Sequence, residues 1–492
     1  MSLKKLVSQT AIYGLSSILG RFLNYLLVPL HTAVFIPHQF GIITEMYSYV
    51  AFLVVLLTYG LETSFFRFVN KDDQNNKSVF SSAVYSLFLT TALFISFATI
   101  FSQPIADWLR YPNHKEYVIW FAVIVGLDAF GSISLAKLRA EGKARRFAFI
   151  NMSNVLVNIS LNIFFLGYCM PHYQSGDTNW LIDTFYNPHI GVGYVFISNL
   201  IASVVKFGLM LPDLWNGRKG FEKSMLFQML GFGWPLLLAG LAGIVNETID
   251  RIMLKRMLFD GLGEVATMTQ IGIYGACYKV SIIITLFIQA FRYAAEPFFF
   301  AQKNESNSKE IYAKVMNYFI IVCAFIFLGV MLYIDLIKYF IPNKSYWEGL
   351  RIVPLLLLAN VFLGIYYNQS IWYKFVNKTI YGAAIALFGA LLTIIINYFF
   401  IPAFGYVASA FATLICYFSM TVFSYFLGQR FYPINYDLKR GFGYIFGAIG
   451  LYGLSASLNV DDKIFLYVIN TLILLFFIGV VYFLERPKKA IT

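Results

Sequence analysis

Eight charged side chains interrupt long apolar stretches of this 492-residue chain: Arg21, Asp128, Glu247, Asp250, Arg251, Lys279, Arg292 and Glu296. A charge at the centre of a bilayer costs about 2.5–3.5 kcal/mol on insertion scales. If these stretches cross a membrane, the charges must face a water-filled cavity or one another. Arg21 shares one helical face with Ser17, Asn24 and Tyr25, since residues three and four apart lie above one another. Glu247 precedes Arg251 by four, the favourable order for a helical ion pair, and Asn246 precedes Asp250 by four. Gln289, Arg292 and Glu296 share another face, so a second Arg–Glu pair is expected. Asn151, Asn154, Asn158 and Asn162 make a polar stripe at helical spacing. Arginine carries a planar fork of donors that matches phosphate oxygens. The reading is a cavity whose cations, Arg21, Arg251, Arg292 and Lys279, take a phosphate or pyrophosphate. Asn24, Asp128, Asn158, Glu247, Asp250 and Glu296 would be its polar or acidic partners, or coupling groups. The competing reading is that the Arg–Glu pairs and the asparagine stripe only hold helices together.

Other polar groups carry plainer expectations. Lys206 is expected to snorkel to a helix end. Glu45 and Glu62, near span edges, are expected to reach interfacial water. His31, His38, His114, His172 and His189 read as surface residues and have no metal-ligand spacing. The four cysteines suit neither a disulfide framework nor a metal site.

The elements that must position these groups follow from composition. The chain is 59% apolar and 13% charged, with a mean hydropathy of +0.68. Soluble domains carry about a quarter charged residues, so an all-α integral membrane fold is expected. A span needs about 20 mostly apolar residues. Fourteen stretches qualify, roughly 8–35, 40–66, 79–101, 117–138, 148–168, 191–211, 228–254, 270–300, 313–335, 351–373, 380–400, 406–427, 441–458 and 464–484. The first runs too long for a signal peptide and shows no clear cleavage site, so it reads as a retained span. With the N-terminus inside, 24 of the 37 Lys and Arg fall on the inner side and 8 on the outer. That bias sets the orientation, with both termini cytoplasmic. It also accounts for most of the +12 charge without a nucleic-acid partner.

The chain also matches itself. Gly20-Arg21-Phe22-Leu23 aligns with Asp250-Arg251-Ile252-Met253, and Phe40-Gly41-Ile42 with Ile271-Gly272-Ile273. Arg139–Lys143 aligns with Lys374–Lys378, and Asn162 with Asn397, at a nearly constant offset. Two pseudo-symmetric six-helix lobes, 1–215 and 216–430, are therefore expected, with two C-terminal helices in 431–492. Two copies of one orientation would be related by an axis along the membrane normal, with the substrate site between them.

Several functions lose support. No phosphate-binding loop G-x-x-x-x-G-K-[ST], no G-x-S-x-G and no H-E-x-x-H occurs. With no cofactor or fuel site expected, a membrane potential or ion gradient would supply the drive; one charge through 100 mV is worth about 2.3 kcal/mol.

Five segments resemble a known family: Ser16-Ser-Ile-Leu-Gly20-Arg21-Phe22, Tyr59-Gly-Leu-Glu-Thr-Ser-Phe-Phe-Arg-Phe68, Leu138-Arg-Ala-Glu-Gly-Lys143, Phe291-Arg-Tyr-Ala-Ala-Glu-Pro-Phe-Phe-Phe300, and Asn397-Tyr-Phe-Phe-Ile-Pro402 with Gly405 and Thr413. They look like the polysaccharide-transport branch of the multidrug/oligosaccharidyl-lipid/polysaccharide (MOP) exporter superfamily, the O-antigen-type oligosaccharide flippases. The second and fourth are similar to the version in Bacteroidetes-type bacteria. The resemblance implies alternating access between two lobes and an undecaprenyl-pyrophosphate-linked oligosaccharide as cargo. It implies movement from the cytoplasmic to the periplasmic leaflet of the inner membrane, for O-antigen, capsule or exopolysaccharide synthesis. Basic residues of spans 1, 7 and 8 line the cavity in relatives, which carries over to Arg21, Arg251 and Arg292. The span 1 arginine is shared with lipid II flippases, so that cargo is the first alternative. A cation-coupled drug exporter is the second, although an acid-dominated cavity would be expected there. A membrane glycan polymerase or ligase is the third. Expected partners are the lipid-linked substrate, membrane lipids and polysaccharide polymerase or assembly proteins. One chain holding both halves is expected to work as a monomer.

The inner-side bias is checked with reporter fusions. A green fluorescent reporter on the C-terminus should fluoresce, and alkaline phosphatase at the same position should be inactive. The opposite pair of results would invert the topology.

Overall fold

A computed structural model describes residues 3–69, 76–215, 220–302, 305–458 and 460–486. Lys71, Arg218, Lys219, Lys303, Lys488 and Lys489, counted above as inner cations, lie outside them. Among the described residues there are helices and turns and no strand. The chain runs α1 (Leu3–Tyr25), α2 (Leu27–Val34), α3 (Pro37–Thr58), α4 (Leu61–Val69), α5 (Asn76–Ile100), α6 (Ser102–Trp108), α7 (Lys115–Ala140) and α8 (Ala144–Asn162). A π-helical stretch, Ile163–Cys169, leads into α9 (Met170–Ser175), α10 (Trp180–Phe185), α11 (Gly193–Trp215), α12 (Lys223–Leu262), α13 (Glu264–Val280) and α14 (Ile282–Ala301). There follow α15 (Ser308–Leu332), α16 (Ile334–Ile337), α17 (Val353–Gln369), α18 (Ile371–Phe375), α19 (Ile380–Phe404), α20 (Tyr406–Phe431), α21 (Leu438–Ser457) and α22 (Lys463–Glu485).

Each of the fourteen stretches is helical, and local chemistry explains where they break. Pro29 has no N–H to give to the Tyr25 carbonyl, and its ring crowds that carbonyl, so α1 ends at Tyr25 and α2 begins at Leu27. The second stretch breaks at Tyr59 and Gly60, which take positive φ angles of 33° and 74°. Among the described residues twelve helices are long and apolar enough to cross a membrane. The stretches at 8–35 and 441–458 are helical but are not among the twelve.

The chain divides into two compact units, Met1–Gly275 with Ile401–Gly405, and Ala276–Phe400 with Tyr406–Thr492. In the first, α7 packs on α3, α5 and α11, α8 packs on α1 and α11, and α12 runs along α3, α4 and α5. Its core gathers Leu61, Phe65, Phe80, Leu87, Ile133, Phe147 and Met229. In the second, α17 packs on α20 and α15, and α15 carries α21 and α22. Its core includes Tyr366, Ile385, Cys416, Tyr417 and Met420.

Within the first unit, the two glycines that mark the repeat meet. A Cβ on Gly41 would strike the main-chain oxygen of Met268, and one on Gly272 would strike that of Pro37. Each oxygen belongs to the residue four before the opposing glycine, so the α3–α13 crossing is locally two-fold. Only glycines let two backbones approach so closely. Gly41→Ala should cost about 1–3 kcal/mol, since a main-chain carbonyl cannot turn aside as a side chain does. Gly243→Ala, with nothing within 4 Å of its new Cβ, should be neutral or stabilising by up to about 1 kcal/mol. Thermal unfolding of the detergent-solubilised variants measures both.

Candidate substrate-binding site

Helix α1 has three faces, set by a turn of about 100° per residue. Gly20 lies against α8, where its Cβ would stand 3.2 Å from Met152 and 3.4 Å from Val155. Leu15, Leu19, Phe22 and Leu26 form an exposed apolar face suited to lipid. Ser17, Arg21 and Asn24 lie on the remaining face, and Arg21 and Asn24 are exposed. If α1 crosses the bilayer, as its sequence predicts, an exposed guanidinium on it must open onto water rather than hydrocarbon. Among the described residues Arg21 makes no ion pair and no hydrogen bond. It is available to a ligand.

The asparagine stripe of α8 meets this face. Asn158 Nδ2 donates to Asn24 Oδ1 at 3.1 Å. Asn162 Nδ2 donates to the main-chain oxygen of Asn158 at 2.8 Å and to its Oδ1 at 3.1 Å. Asn162 Oδ1 lies 2.8 Å from His31 Nε2. Asn158 and Asn162 therefore tie α8 to α1 and α2, as the competing reading held for the stripe. His31 corrects the expectation of a surface histidine, because it is buried on α2 and tied to α8. The signal was in the stripe itself, since a row of amides facing a neighbouring helix needs partners there.

Arg251, the repeat mate of Arg21, has a different environment. It is buried and pairs with Asp250 at 2.8 Å. Asp250 also accepts from Tyr274 Oη at 2.5 Å, and the Arg251 guanidinium lies 5.0 Å from the Tyr274 ring. Its Nη1 donates to the Glu247 main-chain oxygen. The expected pairing with the Glu247 carboxylate is not formed. Glu247 is exposed and Asp250 is buried, and an unpaired buried carboxylate costs far more than an unpaired exposed one.

In the second unit the expected Arg292–Glu296 pair is likewise absent. Glu296 accepts from Lys374 of α18, and Arg292 instead stacks at 4.2 Å over the Tyr367 ring of α17. A cation over an aromatic face keeps its charge at modest cost. Lys279 is half-buried in the last turn of α13, where the helix dipole favours a cation.

Two further expectations are corrected in the first unit. Lys206 does not snorkel; it donates to Asp128 at 2.9 Å. Helix α11 runs to Trp215, about 13 Å beyond Lys206 at 1.5 Å per residue, out of a lysine's reach. Glu45 does not reach interfacial water. It is 0% exposed, and it accepts from Lys255 Nζ at 2.8 Å, itself 1% exposed, and from Tyr111. Lys255 also donates to the Leu109 carbonyl at 2.8 Å and lies 3.5 Å from the Tyr111 ring. Burial and the Glu45 carboxylate push the Tyr111 phenol well above its ordinary range, so it stays the donor. Glu62 pairs with Arg139 across the helices. Partners so far apart in sequence left no local signal.

This triad generates a paired prediction. Lys255→Met strands Glu45 and should cost about 3–5 kcal/mol, while Lys255→Met with Glu45→Leu should regain most of that. Thermal unfolding of both variants in detergent decides. Equal losses would mean that the helices depend on the ion pair itself.

Comparison with known proteins adds family and fold. Residues 6–302 match the family model described as polysaccharide biosynthesis protein. A protein of the Lsg locus of Haemophilus influenzae is 20% identical over 301 residues, covering 60% of this chain and 66% of that protein, just under two thirds of its length. Among solved structures, the lipid II flippase MurJ in an inward closed conformation matches with a TM-score of 0.70 at 13% identity, over 96% of this chain and 98% of that one. An inward-facing multidrug resistance MATE family transporter of the MOP superfamily matches at 0.65 and 13% identity, over 83% and 93%. A MOP superfamily transporter from Pyrococcus furiosus, described as having a binding pocket of reversed polarity, matches at 0.52 and 16%, over 86% and 95%. With more than half of its length matched by that model and its helices arranged as in MOP transporters, this multi-pass membrane protein belongs to the polysaccharide biosynthesis protein family.

Proposed function

We propose that the protein is a flippase that moves an undecaprenyl-pyrophosphate-linked oligosaccharide from the cytoplasmic to the periplasmic leaflet of a bacterial inner membrane. The product would feed surface polysaccharide synthesis. The observation that carries this reading is Arg21, exposed beside Asn24 and without a protein partner among the described residues. A guanidinium kept free on the first of the apolar stretches would be repaid by an anionic ligand, and a pyrophosphate offers oxygens at matching spacing. Family membership supports polysaccharide synthesis as the setting, and the MOP fold supports transport as the mechanism.

In this reading Arg21 contacts the headgroup; the second unit holds two further cations of the sequence reading, Lys279 and the Tyr367-stacked Arg292. Arg251 belongs to the frame, because Asp250 and Tyr274 already neutralise and satisfy it. Asp128, Glu247 and Glu296 are the acids available for coupling; of these Glu247 alone has no ion pair among the described residues. The drive would be the membrane potential or an ion gradient, without a cofactor, and both termini would be cytoplasmic. The protein would carry its cargo without chemical change, as a monomer that hands product to polymerase or assembly proteins. A lipid II cargo is the second reading, favoured by the fold match to a lipid II flippase.

Depletion in the native host, followed by mass spectrometry of inner-membrane lipids, separates the two. Accumulated undecaprenyl-pyrophosphate oligosaccharide supports the first reading, and accumulated lipid II the second. In proteoliposomes Arg21→Gln should slow flipping at least tenfold with normal folding. Arg251→Gln should chiefly lower folded yield. An active Arg21→Gln protein would remove the headgroup clamp.

A further inference from the structure

The hydrogen bonds behind Arg21 have a direction, and that direction reaches the surface. A main-chain carbonyl can only accept, so the Asn162 atom 2.8 Å from the Asn158 carbonyl is the amide nitrogen. Asn162 Oδ1 therefore faces His31, and His31 Nε2, 2.8 Å away, carries the proton and donates. The same Asn162 nitrogen lies 3.1 Å from Asn158 Oδ1. That turns the Asn158 nitrogen outward, where it donates to Asn24 Oδ1 at 3.1 Å. Asn24 thus spends its oxygen inward. Asn24 is an exposed residue, and its nitrogen has no partner among the described residues, three residues from Arg21.

We infer that His31, Asn162 and Asn158 are positioning residues that hold Asn24 as an N–H donor beside Arg21, so that this part of α1 selects oxygens that only accept, as in a phosphate or pyrophosphate. Arginine offers five N–H groups and no acceptor, and the outer half of Asn24 offers two more. An amide free to turn would present its oxygen half of the time and would welcome hydroxyls, ammonium groups or water equally well. The buried anchor removes that choice before a ligand arrives, which is preorganisation of the kind that raises affinity without new contacts. It also disfavours an organic cation, which would meet donors and positive charge together. The inference deepens the reading of Arg21 as a headgroup contact and rests on it.

The test uses the full-length protein in lipid nanodiscs, with undecaprenyl pyrophosphate as probe and undecaprenol as its uncharged control. Asn24→Asp keeps size and the inward acceptor but replaces the outward donor with an oxygen. It should weaken undecaprenyl pyrophosphate binding at least tenfold and leave undecaprenol binding unchanged. Asn162→Asp, which touches no ligand, abolishes the anchoring donation and should lower the preference for pyrophosphate over undecaprenol about threefold or more. Equal weakening for both lipids would mean that the asparagines only support the helix, and would overturn the inference. So would full affinity in Asn24→Asp while Arg21→Gln is impaired, an outcome that leaves the reading of Arg21 standing. Full affinity in Arg21→Gln removes that reading and the inference with it.

Discussion

Hydrocarbon offers no water to a charge, and the ionised side chains named here on the apolar helices answer to that constraint. The cheap solutions are a protein partner or an opening to solvent. Glu45 with Lys255 and Tyr111, Asp250 with Arg251 and Tyr274, and Asp128 with Lys206 take the first solution. Arg21 takes the second, on a helix whose other faces are given to packing and to lipid. The separation of structural from available charge follows from this one cost.

Close backbone approach is the second organising element. Gly41 and Gly272 allow α3 and α13 to cross with carbonyl oxygens where Cβ atoms would stand. A side chain at either position would push the helices apart and shift Glu45, the α3 member of the Glu45–Lys255–Tyr111 cluster. Packing and electrostatics are coupled here, because a buried ion pair survives only while its surroundings exclude water and hold its geometry.

The two arginines that align in the repeat show how one residue type acquires two roles. Arg21 and Arg251 occupy matched positions, but Asp250 immediately precedes Arg251 whereas Gly20 precedes Arg21. The aspartate neutralises its arginine and binds it into the frame. The glycine leaves its arginine free and lets α1 settle against α8. One neighbouring residue is enough to give the two arginines different environments within the same kind of helix.

Much of this architecture was legible in the residues alone. Apolar length placed the helices, and the mid-span charges marked where the helices could not all face lipid. These are local properties, readable because a helix satisfies its own backbone and repeats every 3.6 residues. Pairing was not legible. The i, i+4 rule pointed Arg251 to Glu247 and Arg292 to Glu296, yet burial handed Arg251 to Asp250, and packing left Arg292 against Tyr367 while Lys374 took Glu296. The partners of Glu45 and His31 stand 210 and 131 residues away. Which charge is neutralised depends on which helices touch, and helix contacts are set by side-chain shape across the whole bundle. The sequence by itself determined that charges enter the membrane; the tertiary structure decided which of them remain available to bind.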